Sequence, residues 1–167
     1  MAKTPSEQLK QAGEFHLYQM SLLGTTLNLW SQTELIIEMV IKEALGLALE
    51  DTCILCGPLG AGAKVALLKS LLSQRGTKPK FVQAVADFQV LIGRNAIVHG
   101  FVTFEKIDEP WLIVSREVRD KLSVKTKPIL RYLEDDIMPA FDRVMETSGF
   151  SDDDLHKYSL EIKALAK

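Results

Sequence analysis

Cysteine, histidine and aromatic residues are scarce in this chain. Its 167 residues include two cysteines, three histidines, two tryptophans and three tyrosines. The cysteines, Cys53 and Cys56, form one Cys-Ile-Leu-Cys. A single pair of this kind supplies half of a zinc site, and no second cysteine or histidine pair completes it within one chain. A thioredoxin-like redox pair needs a strand leading into a helix, which is not evident here. Both cysteines therefore read as small apolar residues of a core or loop. Long hydrophobic runs are missing too. Leu35 to Val40 is interrupted by Glu38 and followed by Lys42 and Glu43, so no membrane span is expected. The N-terminal Met-Ala-Lys-Thr-Pro-Ser-Glu has no hydrophobic signal core, and a cytoplasmic location is the expectation. Neither sign of charge dominates: the formal net charge is −2. That balance argues against a generic nucleic-acid binder, so any RNA contact must come from a local basic patch or a partner chain.

What is present is an ordinary globular composition, 47% hydrophobic and 25% charged. The length suits one domain, residues 1–167, with a real core. Helical periodicity dominates. Ser6 opens an amphipathic segment with Phe15, Tyr18 and Leu22 on one face, and Gly24-Thr25-Thr26 can break or bend it. From Leu27 the series Leu27, Trp30, Ile37, Ile41 and Leu45 recurs at helical spacing, with Glu34 in the same series, and Gly46 reads as a stop. Glu50 to Gly62 reads as an irregular connection. Ala63 to Gln74 reads as a short helix with Val65, Leu68 and Leu72 on one side, and Arg75 to Pro79 as a turn.

Phe81, Val85, Phe88 and Ile92 then form a core stripe, Gly93 lies within that helix, and Gly100 reads as its C-terminal cap. After Gly100 the period changes. Phe101 to Phe104 and Trp111 to Val114 are rich in β-formers, with Asp108-Glu109-Pro110 between them, so a small hairpin is expected over about 101–116. Pro128 or Ile129 starts another helix bearing Leu130, Leu133, Ile137, Phe141 and Val144, bent at Pro139. Ser151 or a following aspartate caps a last helix, about 151–167. The fold class is therefore mainly α: an antiparallel bundle of about five to six helices with one small β-hairpin insertion.

Three motifs invite chemistry. Gly57-Pro58-Leu59-Gly60-Ala61-Gly62-Ala63-Lys64 approaches a P-loop but fails it. Ala63 separates the last glycine from Lys64, Val65 stands where Ser or Thr should hold magnesium, and no βαβ pattern surrounds it. His156 and the acidic run Asp152 to Asp154 lie together, but acids at a helix N-terminus are favourable in themselves. His16 has no ligand-type neighbour at metal spacing, and no metal or cofactor is expected.

The third motif is Arg94-Asn95-Ala96-Ile97-Val98-His99-Gly100. It places a permanent cation, an amide and an imidazole at the end of an almost wholly apolar helix. Burying such groups is costly unless they are paired or used. Asn95 lies one turn before His99 and shares its face, whereas Arg94 lies about 140° from His99. Two copies of the helix about a two-fold axis would gather both pairs into one cleft, which suggests a homodimer with a composite active site. His99 has the pKa range of a general acid or base, Arg94 suits phosphate oxygens, and Asn95 can orient His99 or bond the phosphate. The plainer reading is that Arg94 pairs with an acid such as Asp87 or Glu34 while His99 completes the helix end. Glu34 is also a candidate supporting partner near the motif helix.

The motif and its setting resemble the HEPN superfamily. The matched pattern is Arg94, the polar Asn95, three further residues and His99. The setting of two long helices, a short linker helix, the motif helix and a final long helix is similar over roughly Leu9 to Met145. The resemblance implies antiparallel helices dimerised through the motif helix and, in many members, metal-independent cleavage of RNA. Such members serve as toxins of toxin–antitoxin pairs, in phage defence and in RNA processing. It implies an RNA substrate and, for a toxin, a protein antitoxin. Other members are catalytically silent modules that bind RNA, nucleotide or protein. Some toxins of this type carry a modifiable Tyr two residues after the motif His. Here that position is Phe101, which has no hydroxyl.

Overall fold

The computed structural model describes residues 5–92, 102–106, 109–118, 121–128 and 132–165. The described chain is mainly helical. Its elements run α1 (Pro5–Leu45), α2 (Leu49–Cys56), α3 (Ala61–Arg75), α4 (Pro79–Ile92), β1 (Val102–Lys106), β2 (Glu109–Val118) and β3 (Lys121–Pro128). A π-helical segment, Tyr132–Ile137, then leads into α5 (Met138–Ser148) and α6 (Asp152–Leu165). The chain divides into two compact units. One comprises Met1–Asn28 with Leu91–Met138, the other Leu29–Val90 with Pro139–Lys167.

The second unit holds a packed helical core. Trp30, Ile36, Ile37, Val40 and Ile41 of α1 are buried, as are Leu68 and Leu72 of α3, Phe81, Val85 and Phe88 of α4, and Phe141 and Val144 of α5. At its centre Trp30 stacks on Phe88, with ring centroids 6.1 Å apart and planes 14° apart, and Phe88 meets Phe141 at 5.9 Å. The expected stripe of α4 thus lies where its period predicts. In α1 the stripe is shifted: Trp30, Ile37 and Ile41 are inside, but Leu27 and Leu45 are exposed. Thr26, Leu29 and Thr33 take the inner face instead, and the Thr33 hydroxyl donates to the Leu29 carbonyl at 2.9 Å, which permits its burial.

Gly24-Thr25-Thr26 does not break α1, which is continuous from Pro5 to Leu45. One glycine costs about 1 kcal/mol in a helix interior, too little to stop a long one. Gly46 does stop it, with a left-handed φ of 66°. The connection expected at Glu50 to Gly62 instead contains α2, with Glu50 and Asp51 in its first turn, where the helix dipole favours acids. The turn before α4 is held by Lys78. Its ammonium donates to the Ser148 carbonyl at 2.8 Å and the Glu43 carboxylate at 3.1 Å, and lies 5.4 Å from the centre of the Phe150 ring. These contacts hold the end of α5 and Glu43 of α1 against the α3–α4 turn. Lys78 itself adopts φ 47°, unusual for a non-glycine residue.

After α4 the insertion is a three-stranded antiparallel meander rather than a two-stranded hairpin, in the order β1-β2-β3. Val102 pairs with Leu112 and Thr103 with Trp111, and Val118 to Trp111 then pair with Lys121 to Pro128. The third strand occupies residues that precede the expected helix start. Leu122, Val124 and Thr126 alternate with polar residues at period two, a strand signal that Pro128 closes. The described part of the following helix opens at Tyr132, and Pro139 lies where its π-helical turns give way to α5, a change of hydrogen-bond register that fits the amide donor a proline lacks. Its last helix starts as expected. The Ser151 hydroxyl accepts from the Asp154 amide at 3.3 Å, and the Asp154 carboxylate accepts from the Ser151 amide at 2.9 Å.

Candidate functional site

Arg94, Asn95, His99 and Phe101 lie outside the described residues, as do Gly93 and Gly100. Of the supporting residues named from the sequence, Glu34 is described, and it is already engaged. Its Oε1 accepts from the Trp30 indole at 2.5 Å, and its Oε2 lies 3.3 Å from the Lys64 ammonium. Asp87, proposed as an alternative partner for Arg94, accepts from the Gln83 amide at 2.7 Å.

Lys64 is the unexpected residue. It is 7% exposed, and its ammonium donates to Glu38 at 2.6 Å as well as to Glu34. Glu34 and Glu38 are one helical turn apart on α1, so both reach the same cation on α3. Burial alone would pull the Lys64 pKa down. The hydrogen bond and charge of Glu38, with those of Glu34, reverse that and hold it above the usual lysine value. The ammonium is therefore a fixed tie between α1 and α3. The lysine of the P-loop-like sequence is committed to carboxylates, and Gly60 before it serves as the N-cap of α3. A phosphate-binding role for this loop is not supported by that arrangement.

The Tyr158 side chain of α6 belongs to the same electrostatic neighbourhood. It is 4% exposed, and its hydroxyl is buried with no hydrogen-bond partner among the described residues. Burial, reinforced by the negative charge of Glu38, pushes the phenol well above the usual tyrosine range. Both thiols of α2 are free, with Cys56 buried and Cys53 half-buried. Burial and the Glu38 charge raise both above the ordinary thiol value. Thiols raised in this way are poor nucleophiles at neutral pH, which fits the reading of Cys53 and Cys56 as core residues. His156 is exposed on α6. Among the described residues no cluster of His, Cys, Asp and Glu is arranged to hold a metal ion.

The sequence reading missed Lys64, Glu38 and Tyr158. A signal was available for the first: Lys64, Leu68 and Leu72 recur every four residues, so the lysine lies on the buried stripe of α3. Among the described residues no helix is long and apolar enough to cross a membrane. No family model, curated protein or solved structure matches the chain.

Proposed function

We propose that this protein is a metal-independent endoribonuclease of the HEPN type, acting as a homodimer, in a toxin, phage-defence or RNA-processing role. The observation that carries the reading is the sequence Arg94-Asn95-x-x-x-His99-Gly100 directly after α4, a helix whose stripe Phe81, Val85 and Phe88 is wholly buried. The apolar run ends and a cation, an amide and an imidazole follow at once.

RNA carries its own nucleophile. His99 of one protomer takes the proton of the 2′-OH, which attacks the adjacent phosphorus. His99 of the second protomer protonates the departing 5′-oxygen. The two Arg94 guanidiniums bind the non-bridging oxygens as charge builds in the phosphorane. Asn95, four residues before His99 in the sequence, orients the imidazole. The products are a 2′,3′-cyclic phosphate and a 5′-hydroxyl.

The test is RNA cleavage in EDTA by wild type, Arg94→Ala and His99→Ala. Cleavage by wild type alone, with 2′,3′-cyclic phosphate ends, is the expected result. Equal cleavage by all three proteins would refute the assignment. An inert wild type across varied RNAs would leave the silent binding module, a reading that the net charge of −2 favours.

A further inference from the structure

A net charge of −2 gives the chain no general attraction for RNA, so any hold on a strand has to be local. The register of the sheet contains one such concentration. Residues paired directly across an antiparallel ladder share a face, and successive residues alternate between faces. Leu112, Val114, Arg116 and Val118 of β2 therefore share a face with their partners Lys127, Lys125, Ser123 and Lys121 of β3. That face of the β2–β3 ladder holds four cations and no Asp or Glu. The opposite face sets Trp111, Ile113, Ser115 and Glu117 against Pro128, Thr126, Val124 and Leu122, with one acid and no cation. Glu109 pairs with Lys106 across the β1–β2 ladder, so those two charges offset each other, and Glu105 falls within the register shift of β1, outside the β2–β3 ladder.

The three lysines of β3 form a row roughly 20 Å long, at about 3.3 Å per residue. Covalent geometry ties one end of it to the motif. Val102 follows His99 by three residues, which keeps their Cα atoms within about 11 Å in any conformation. Val102 pairs with Leu112 and Leu112 with Lys127, two cross-strand steps of about 5 Å each. Lys127 therefore opens the row within roughly 22 Å of His99. Lys121 closes it opposite Val118.

We propose that this face of the sheet is a track for RNA phosphates. Resting on the nuclease reading, it holds the strand that flanks the phosphate cleaved at His99. A row of cations suits a linear polyanion, and a face with four cations and no acid is costly to bury. Trp111 lies on the other face, and β2 and β3 place no aromatic residue on the cationic one. The face therefore offers no stacking platform for bases and no aromatic anchor for a lipid surface. Its hold is on phosphates and is independent of base sequence. Lysines on an edge strand also deter pairing with another sheet, and β3 is an edge. Charges on either face would serve that purpose, whereas all three lysines of β3 lie on one.

Fluorescence anisotropy of a labelled oligouridylate, titrated with the full-length His99→Ala protein to keep the RNA intact, measures affinity against salt. For a single strand, log affinity falls with log salt by about 0.7 per phosphate contact. Adding Lys121→Gln, Lys125→Gln and Lys127→Gln together is expected to make the slope shallower by about 2, a loss of about a hundredfold in affinity at 0.1 M salt relative to a common value at 1 M. Arginine at the same three positions is expected to keep both slope and affinity. Arg75→Gln with Lys80→Gln removes exposed cations flanking the α3–α4 turn and is expected to change neither. Oligoadenylate is expected to bind as oligouridylate does. A parent slope shallower than about −2, a slope unchanged by the glutamines, or an equal loss in the Arg75 and Lys80 control would each overturn the proposal. So would binding to phosphatidylserine vesicles in place of RNA, or a glutamine variant that aggregates with its RNA affinity intact. Cleavage by wild type is scored separately. A cleaving protein whose RNA affinity ignores the lysines refutes the track and leaves the nuclease, whereas lysine-dependent binding without cleavage keeps the track and refutes the nuclease.

Discussion

Lys64→Met probes the buried ionic tie directly. The substitution keeps an unbranched stem and removes the ammonium. Lys64 contacts Glu38 at 2.6 Å and Glu34 at 3.3 Å, with the three side chains 9%, 11% and 24% exposed. Without the cation, two carboxylates one turn apart are left around an apolar methyl. Removing one partner of a buried ion pair costs roughly 3–5 kcal/mol, because the remaining charge is uncompensated. Glu34 can release part of its charge toward water, which places the expected loss near 3 kcal/mol, the lower end of that range. For a chain of this size that lowers the thermal midpoint by roughly 6–12 °C. Urea and thermal unfolding followed by circular dichroism measure it. The pH dependence is the sharper arm. With the cation gone the two carboxylates only repel each other, so acid that neutralises them is expected to shrink the deficit and base to enlarge it. Adding Glu38→Gln is expected to recover much of the loss at neutral pH. A Lys64→Met protein within about 1 kcal/mol of wild type, with a deficit independent of pH, would refute the reasoning and show the cluster to be as screened as a surface pair.

Tyr158→Phe removes a buried hydroxyl that has no partner among the described residues, so it is expected to be neutral or to stabilise by about 1 kcal/mol. Destabilisation beyond about 1 kcal/mol would mean that the hydroxyl is satisfied in solution. Alkaline pH is expected to unfold the protein early. Lys64, Tyr158, Cys53 and Cys56 all have folded pKa values raised above their ordinary ones. Stability from a group raised in this way is fully present below the unfolded pKa and is lost as pH rises through the folded one. The loss should therefore begin at about pH 8.5 with the thiols and steepen above about pH 10. Thermal midpoints that stay level through about pH 11 would contradict the burial of these groups.

Periodicity made the helices legible. Phe81, Val85 and Phe88 are fully buried because a stripe at helical spacing has one way to leave water. The glycine at 46 and the Ser151–Asp154 capping box were readable because their effects are local backbone chemistry. Short elements were harder. The eight residues of α2 present too little period to separate from a loop, and the third strand lay beside a proline that also suits a helix start.

The sequence by itself determined that the chain folds mainly as helices, because helical periodicity is a local property of the chain. Only the tertiary structure decided what Glu34 does. The sequence placed it among core positions and offered it to the motif helix, but which cation it meets depends on α1 and α3 packing thirty residues apart. Tertiary packing likewise decided that Lys64 of the glycine-rich stretch is buried against two carboxylates. A charged side chain goes inside only where the fold supplies its partners, and no spacing within one helix reveals that.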